Sequence, residues 1–163
     1  MVKDLVIIGG GPAGIAAAIS AYDNGIKDIL VIEREDKAGG VLKQCIHNGF
    51  GLTRFGENLT GPEYADKFIQ EAASRGIEIL TDTFVLSISE DKEVTFTNTS
   101  GIKTVKATFL SSALSNAEII TPVAVEVSVK RRSQGILFLK MSNELCDGYG
   151  EPLKCLFFIS LPP

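Results

Sequence analysis

Leu5-Val6-Ile7-Ile8-Gly9-Gly10-Gly11-Pro12-Ala13-Gly14 is the stretch on which the fold turns. Four consecutive apolar residues, three of them β-branched, suit a strand buried on both faces of a parallel sheet. A helix is expected next: Pro12 suits a first helical turn, Ile15 to Ala21 is rich in helix formers, and Asn24-Gly25 supplies a stop. Ile29 to Ile32 repeats the buried-strand pattern and ends at Glu33. Strand, helix and strand make a βαβ unit.

Within that unit Gly9, Gly11 and Gly14 fit G-x-G-x-x-G, and an acid follows Gly14 by nineteen residues at the end of the next strand. The motif alone is weak, but between a buried strand and a helix it is the context a dinucleotide fingerprint requires. Gly9 allows the tight turn, Gly11 lets the backbone approach a diphosphate, and Gly14 lets helix and strand pack closely. The first-turn amides, Ala13 among them, lack helical acceptors and suit an anion, while Pro12 removes one donor. Glu33 can accept the hydroxyls of an adenosine ribose and would repel a 2'-phosphate, which favours FAD or NAD over NADP. The alternative is an ordinary glycine turn with an incidental glutamate.

Working outward, Thr60 and Glu63 stand at capping-box spacing, Pro62 lies near the helix start and Gly76 at its end. Tyr64, Phe68 and Ala72, with Ala65, Ile69 and Ala73 beside them, predict one apolar stripe. Ile77 to Leu80 reads as a third parallel strand. From Phe84 the period becomes two: Phe84, Leu86 and Ile88, then Val94 and Phe96, then Val105, Ala107 and Phe109 predict a three-stranded antiparallel meander. The expected fold class is therefore α/β, a Rossmann-like parallel sheet with helices and a β-meander. Residues 1–113 form the expected domain and 114–163 a tail in which only Val123, Val125, Val127 and Val129 alternate like a strand.

Composition bounds the function. The chain has 163 residues, 45% hydrophobic and 22% charged, enough for one domain with one sizeable core. Net charge is -4, and no basic cluster exceeds Lys130-Arg131-Arg132, which argues against nucleic acid or an anionic membrane as partner. Eleven of the sixteen glycines lie in the first 61 residues, so close ligand approach is concentrated there. Leu156 to Leu161 is too short to span a bilayer. The front does not read as a secretory signal, because Gly9 to Pro12 interrupts its apolar run and Asp4 sits where positive charge is wanted. Cys45, Cys146 and Cys155 form neither CxxC nor an even framework, as expected in a reducing cytoplasm.

Glu33-Arg34 followed by Gly39-Gly40-Val41-Leu42 resembles the two-dinucleotide-binding flavoproteins, the superfamily of thioredoxin reductase and the pyridine-nucleotide disulfide reductases. The longer stretch from Gly39 to Tyr64 is similar to FAD-dependent oxidoreductases of the sarcosine oxidase, amino-acid dehydrogenase and anaerobic glycerol-3-phosphate dehydrogenase type. The resemblance covers residues 1 to about 110. It implies FAD rather than NAD at the front site, hydride or electron transfer as the activity, and cofactor contacts from Gly9, Gly11, Pro12, Ala13, Gly14, Glu33, Arg34, Gly39, Gly40 and Val41. A Gly-Gly pair just past the acid also permits positive φ and close ligand approach on its own terms.

Disulfide reductases of that superfamily carry C-x-x-x-x-C near Cys45, but Phe50 stands at the partner's position and Asn48 at that of a CxxC partner. A small buried or half-buried role for Cys45, rather than a catalytic thiol, is therefore expected. His47, the sole histidine, is expected to be a hydrogen-bonded loop residue; Lys43, Gln44 and Arg54 are candidate polar contacts to a flavin or substrate. No metal cluster is expected. The chain departs from the family after the meander, where Phe109-Leu110-Ser111-Ser112-Ala113-Leu114 replaces a strand ending in Ala-x-Gly and no second dinucleotide fingerprint follows. The expectation is a truncated flavoprotein with an unrelated tail whose origin is a shifted reading frame; the alternatives are a dinucleotide-binding module, a subunit completed by a partner chain, and an inactive truncated fragment.

Overall fold

The structure is a computed structural model in which residues 1–113, 136–140 and 156–160 are described. Strand β1 (Val2–Ile8) leads into helix α1 (Pro12–Asp23) and strand β2 (Ile29–Ile32). A 3-10 turn at Gly40–Gln44 then precedes β3 (Asn48–Phe50), the single helical turn α2 (Leu52–Phe55) and β4 (Leu59–Thr60). Helix α3 (Gly61–Ser74) and strand β5 (Glu78–Leu80) follow. The meander is β6 (Phe84–Ile88), β7 (Glu93–Asn98) and β8 (Gly101–Ser112). Strands β9 (Ile136–Lys140) and β10 (Leu156–Ser160) pair antiparallel.

The main sheet runs β5-β2-β1-β8-β7-β6. Strands β5, β2, β1 and β8 are mutually parallel, with Leu30↔Glu78, Leu5↔Ile29 and Leu5↔Phe109 in register. The expected Rossmann-like α/β architecture is therefore present. One link was not anticipated: the strand sought after the meander is the second half of β8 itself. Its first half pairs antiparallel with β7, and Lys106 to Ser112 runs parallel to β1.

Successive side chains of a strand point to opposite faces, and β1 serves two cores for that reason. Leu5 and Ile7 pack with Ile15, Ala18, Phe68 and Ala72 of the helices, whereas Val6 and Ile8 pack with Leu30, Ile32, Val94, Phe96 and Val105. The meander thus closes the back of the sheet that the helices leave open. Each fully buried aliphatic side chain contributes about 1.5–3 kcal/mol, which accounts for the all-apolar Leu5 to Ile8 half of this central strand. Strand β8 changes allegiance along its length: Ala107 packs on the meander side and Phe109, at the same parity, on the helix side.

Two apolar assignments need correction. Phe84 and Leu86 are exposed, and Val85 packs inward instead, with an irregularity between Val85 and Ser87 setting the phase. Ala73 is exposed, because the stripe of α3 is narrower than read and comprises Tyr64, Ala65, Phe68 and Ala72, with Ile69 at its edge. The capping box is present: Glu63 N–H donates to the Thr60 hydroxyl, while Thr60 N–H donates to the Glu63 carboxylate at 2.8 Å. The segment Val123 to Val129 and the Lys130-Arg131-Arg132 run lie outside the described residues.

Candidate dinucleotide site

The site lies at the carboxyl ends of β1, β2 and β8, where the chain order reverses between β1 and β8. In open α/β sheets that switch point is where ligands bind. Gly9 has φ +106 and donates its N–H to Ile32 O at 2.8 Å, which bends the chain sharply off β1. Gly14 then lies directly against it: a Cβ on Gly14 would collide with the Gly9 carbonyl oxygen. Gly11 is the N-cap of α1, with no side chain filling the helix start. Ile15 N–H is the first to find a helical acceptor, Gly11 O at 3.0 Å, so the amides of Ala13 and Gly14 ahead of it are left for a ligand. Gly11, Pro12 and Ala13 are partly exposed.

Glu33 is buried, at 6% exposure, and its carboxylate reaches into the glycine bend. Oε2 accepts from Gly10 N–H at 2.7 Å and Oε1 from Glu35 N–H at 3.0 Å. The acid therefore grips the turn; a carboxylate has about four lone-pair sites, so these two bonds leave acceptor capacity over. Leu80 O accepts from Glu33 N–H, and Glu33 O from Thr83 N–H, so β5 and the loop after it fix the acid's backbone. Arg34 is exposed and pairs with its neighbour Glu35 at 3.2 Å.

The Gly39-Gly40 pair closes over the bend. Gly39 N–H donates to Gly10 O at 2.8 Å, and Gly39 and Gly40 have φ of +117 and +54. A Cβ on Gly40 would stand 3.1 Å from Gly11 Cα, so the close approach requires glycine. Val41 follows with 55% of its surface exposed.

The remaining candidates divide. Cys45 is half-buried with its Sγ 3.6 Å from Val41 O and has no disulfide partner among the described residues. His47 is exposed, its Nδ1 is 2.9 Å from Asn48 O, and its ring packs on Phe50 at 5.3 Å. Lys43 donates to Lys37 O at 2.6 Å. Arg54 pairs with Glu71 at 3.0 Å and lies over the rings of Phe55 and Phe68, so it serves the α3 surface rather than the bend. Gln44 is exposed.

Two residues escaped the sequence reading. Gly10, the variable position of the motif, is the one whose amide and carbonyl are both engaged across the site; the run of three glycines was its only signal. Ser111, at the end of β8 opposite Ile7, is 2% exposed and its hydroxyl has no hydrogen-bond partner. A serine inside a buried strand was the available clue. A cavity of about 460 Å³ lies elsewhere, between Ala38, Lys43, Ala65, Ile69 and Ile79. Unpaired amides and the acid converge at the glycine bend and not in that recess, whose lining includes Asp36, Lys37 and Asp66 as well as aliphatic side chains.

Residues 4–52 match the family of FAD dependent oxidoreductases, and the cofactor of that family is FAD. Among individual relatives, a thioredoxin reductase of Ureaplasma parvum serovar 3 is 34% identical over 80 residues, covering 48% of this chain and 24% of its own. A "34.2 kDa protein in rubredoxin operon" of Clostridium pasteurianum is 32% identical over 151 residues, covering 89% of this chain and 44% of its own. The solved bacillithiol disulfide reductase Bdr from Bacillus cereus shares the fold, with TM-score 0.57 and 20% identity over 68% of this chain and 39% of its own. The chain thus spans less than half the length of these relatives. Because the clostridial match takes in 89% of the chain, it reaches past residue 113, which counts against a tail of unrelated origin. No described helix is long and apolar enough to cross a membrane.

Proposed function

We propose that this chain is the FAD-binding part of a flavin-dependent oxidoreductase. The observation that carries the reading is the close seating of Gly14 on Gly9, which leaves the amides at the start of α1 open at the sheet's switch point. Those amides carry the positive end of the helix dipole, so Gly11, Ala13 and Gly14 would hold the diphosphate, with Gly9 shaping the turn and Pro12 setting the helix start. Glu33 would accept from the adenosine ribose, with Arg34 at the rim, and Gly39, Gly40 and Val41 would flank the ribityl side. The bend fits the group, since no side chain at Gly11 caps the start of α1. When bound, FAD supplies the hydride or electron transfer.

Titration with FAD, followed by flavin fluorescence, tests this. Emission is expected to change on binding and to stay constant with Gly14→Ala; constant emission with the unaltered chain rejects the reading.

A second reading is a binding module, for FAD or NAD, completed by a partner chain. It is favoured by the apolar side chains left uncovered past the glycine pair, Val41 at 55%, Ile46 at 83% and Leu52 at 58% exposure. Stoichiometric binding without turnover would select it. The chain's span of less than half of its relatives supports treating it as one portion of such an enzyme. Cysteines without a pairing framework support a cytoplasmic setting.

A further inference from the structure

We propose that Glu33 is a positioning residue for the Gly39-Gly40 pair, acting through the backbone of Gly10. The inference rests on the FAD reading of the site for its functional meaning, but its geometry stands in the ligand-free chain. Gly10 is held at both ends: its N–H donates to Glu33 Oε2 at 2.7 Å, and its carbonyl accepts from Gly39 N–H at 2.8 Å. A glycine has no side chain to restrict its own φ and ψ, so these two bonds are what hold it. Both are buried, since Gly10, Glu33 and Gly39 all are, and one of them ends on a carboxylate, the stronger class of acceptor.

The second oxygen of Glu33 meanwhile holds Glu35 N–H. Glutamine keeps the size but offers one acceptor oxygen and one NH2 group with two donors, so it must turn that group toward Gly10 N–H or toward Glu35 N–H. If the Gly10 bond is lost, the carbonyl of Gly10 is free to swing and Gly39 loses its acceptor. The pair in turn lies so close to the bend that a Cβ on Gly40 would stand 3.1 Å from Gly11 Cα. An acid at the adenosine end thereby sets the loop expected at the flavin end, and energetic coupling of that kind is reciprocal.

Residue-resolved amide hydrogen exchange on the ligand-free chain tests the coupling. In Glu33→Gln the amides of Gly10 and Gly39 should both exchange about tenfold faster, while Gly76 N–H, bonded to Ala73 O on α3, keeps its rate. Faster exchange at Gly10 alone overturns the proposal. Should all three accelerate together through loss of the fold, Gly40→Ala decides by the reverse route: it should speed Gly10 N–H about tenfold, and an unchanged rate overturns the proposal. A second readout uses FMN, which has no adenosine and never meets the acid. Weaker FMN binding in Glu33→Gln, by about tenfold, supports the coupling; a loss confined to FAD reduces Glu33 to a sugar contact. A chain that binds neither flavin defeats the FAD reading, and the exchange result still decides the coupling.

Discussion

Gly14 is seated so closely on Gly9 that a methyl group in place of its hydrogen would overlap the Gly9 carbonyl oxygen and stand 3.3 Å from the Ala113 methyl. The first obstacle is backbone and has nowhere to go. Gly14→Ala is therefore expected to cost about 1–3 kcal/mol of stability and to abolish FAD binding. Gly76→Ala, at φ +70 with open space around it, should cost about 1 kcal/mol and leave FAD binding unchanged. Urea unfolding and flavin titration of the two variants check the pair.

The meander's phase makes a second prediction. Phe96 is 1% exposed and packs against the back of the parallel sheet, whereas Phe84 is 47% exposed. Phe96→Ala should lose about 3–5 kcal/mol, and Phe84→Ala less than about 1 kcal/mol. Equal losses would mean that the inward face of β6 is the one the alternating pattern suggested.

Acid should loosen α3 through its cap. Hydrogen bonds from the Thr60 backbone and hydroxyl hold the Glu63 carboxyl below its ordinary value of 4.5. A depressed folded-state pKa contributes stability that is present above the unfolded value and is lost as pH falls through the folded one. Asp23, lowered by its hydrogen bonds with Arg75, acts in the same direction from an ordinary 3.8. Stability should thus fall as pH drops below about 4.5, and Glu63→Gln should flatten that slope. Thr60→Ala should cost about 1 kcal/mol at neutral pH. Thermal unfolding across the acid range provides the measurement.

The front of the fold was legible because its signals are local. β-branched residues, the glycine spacing and the Thr60/Glu63 box each act within a few positions of themselves, and all three produce the elements expected of them. What the sequence hid depends on contacts between distant segments. The two allegiances of β8, the outward turn of Phe84 and the grip of Glu33 on Gly10 arise only when residues far apart in the chain meet. The small elements between Asn48 and Thr60 were missed for another reason: β3 has three residues and β4 two, too few to show a period.

Cys45 yields a fourth prediction. Its thiol stands 3.6 Å from the Val41 carbonyl, and a thiol is a weak donor. Cys45→Ser is expected to leave FAD affinity unchanged and to shift stability by less than about 1 kcal/mol. A loss of affinity in flavin titration would tie the thiol to the flavin side after all.

Strand β1 meets its first neighbour, β2, by residue 32, yet its other edge is paired only when Lys106 to Ser112 arrives. On the ribosome this central strand therefore waits, half-sheltered, through some seventy further residues of synthesis. Closure over so long a separation is slow, and in that interval the bare edge of β1 is the place where a nascent chain would recruit a chaperone or pair wrongly with another copy.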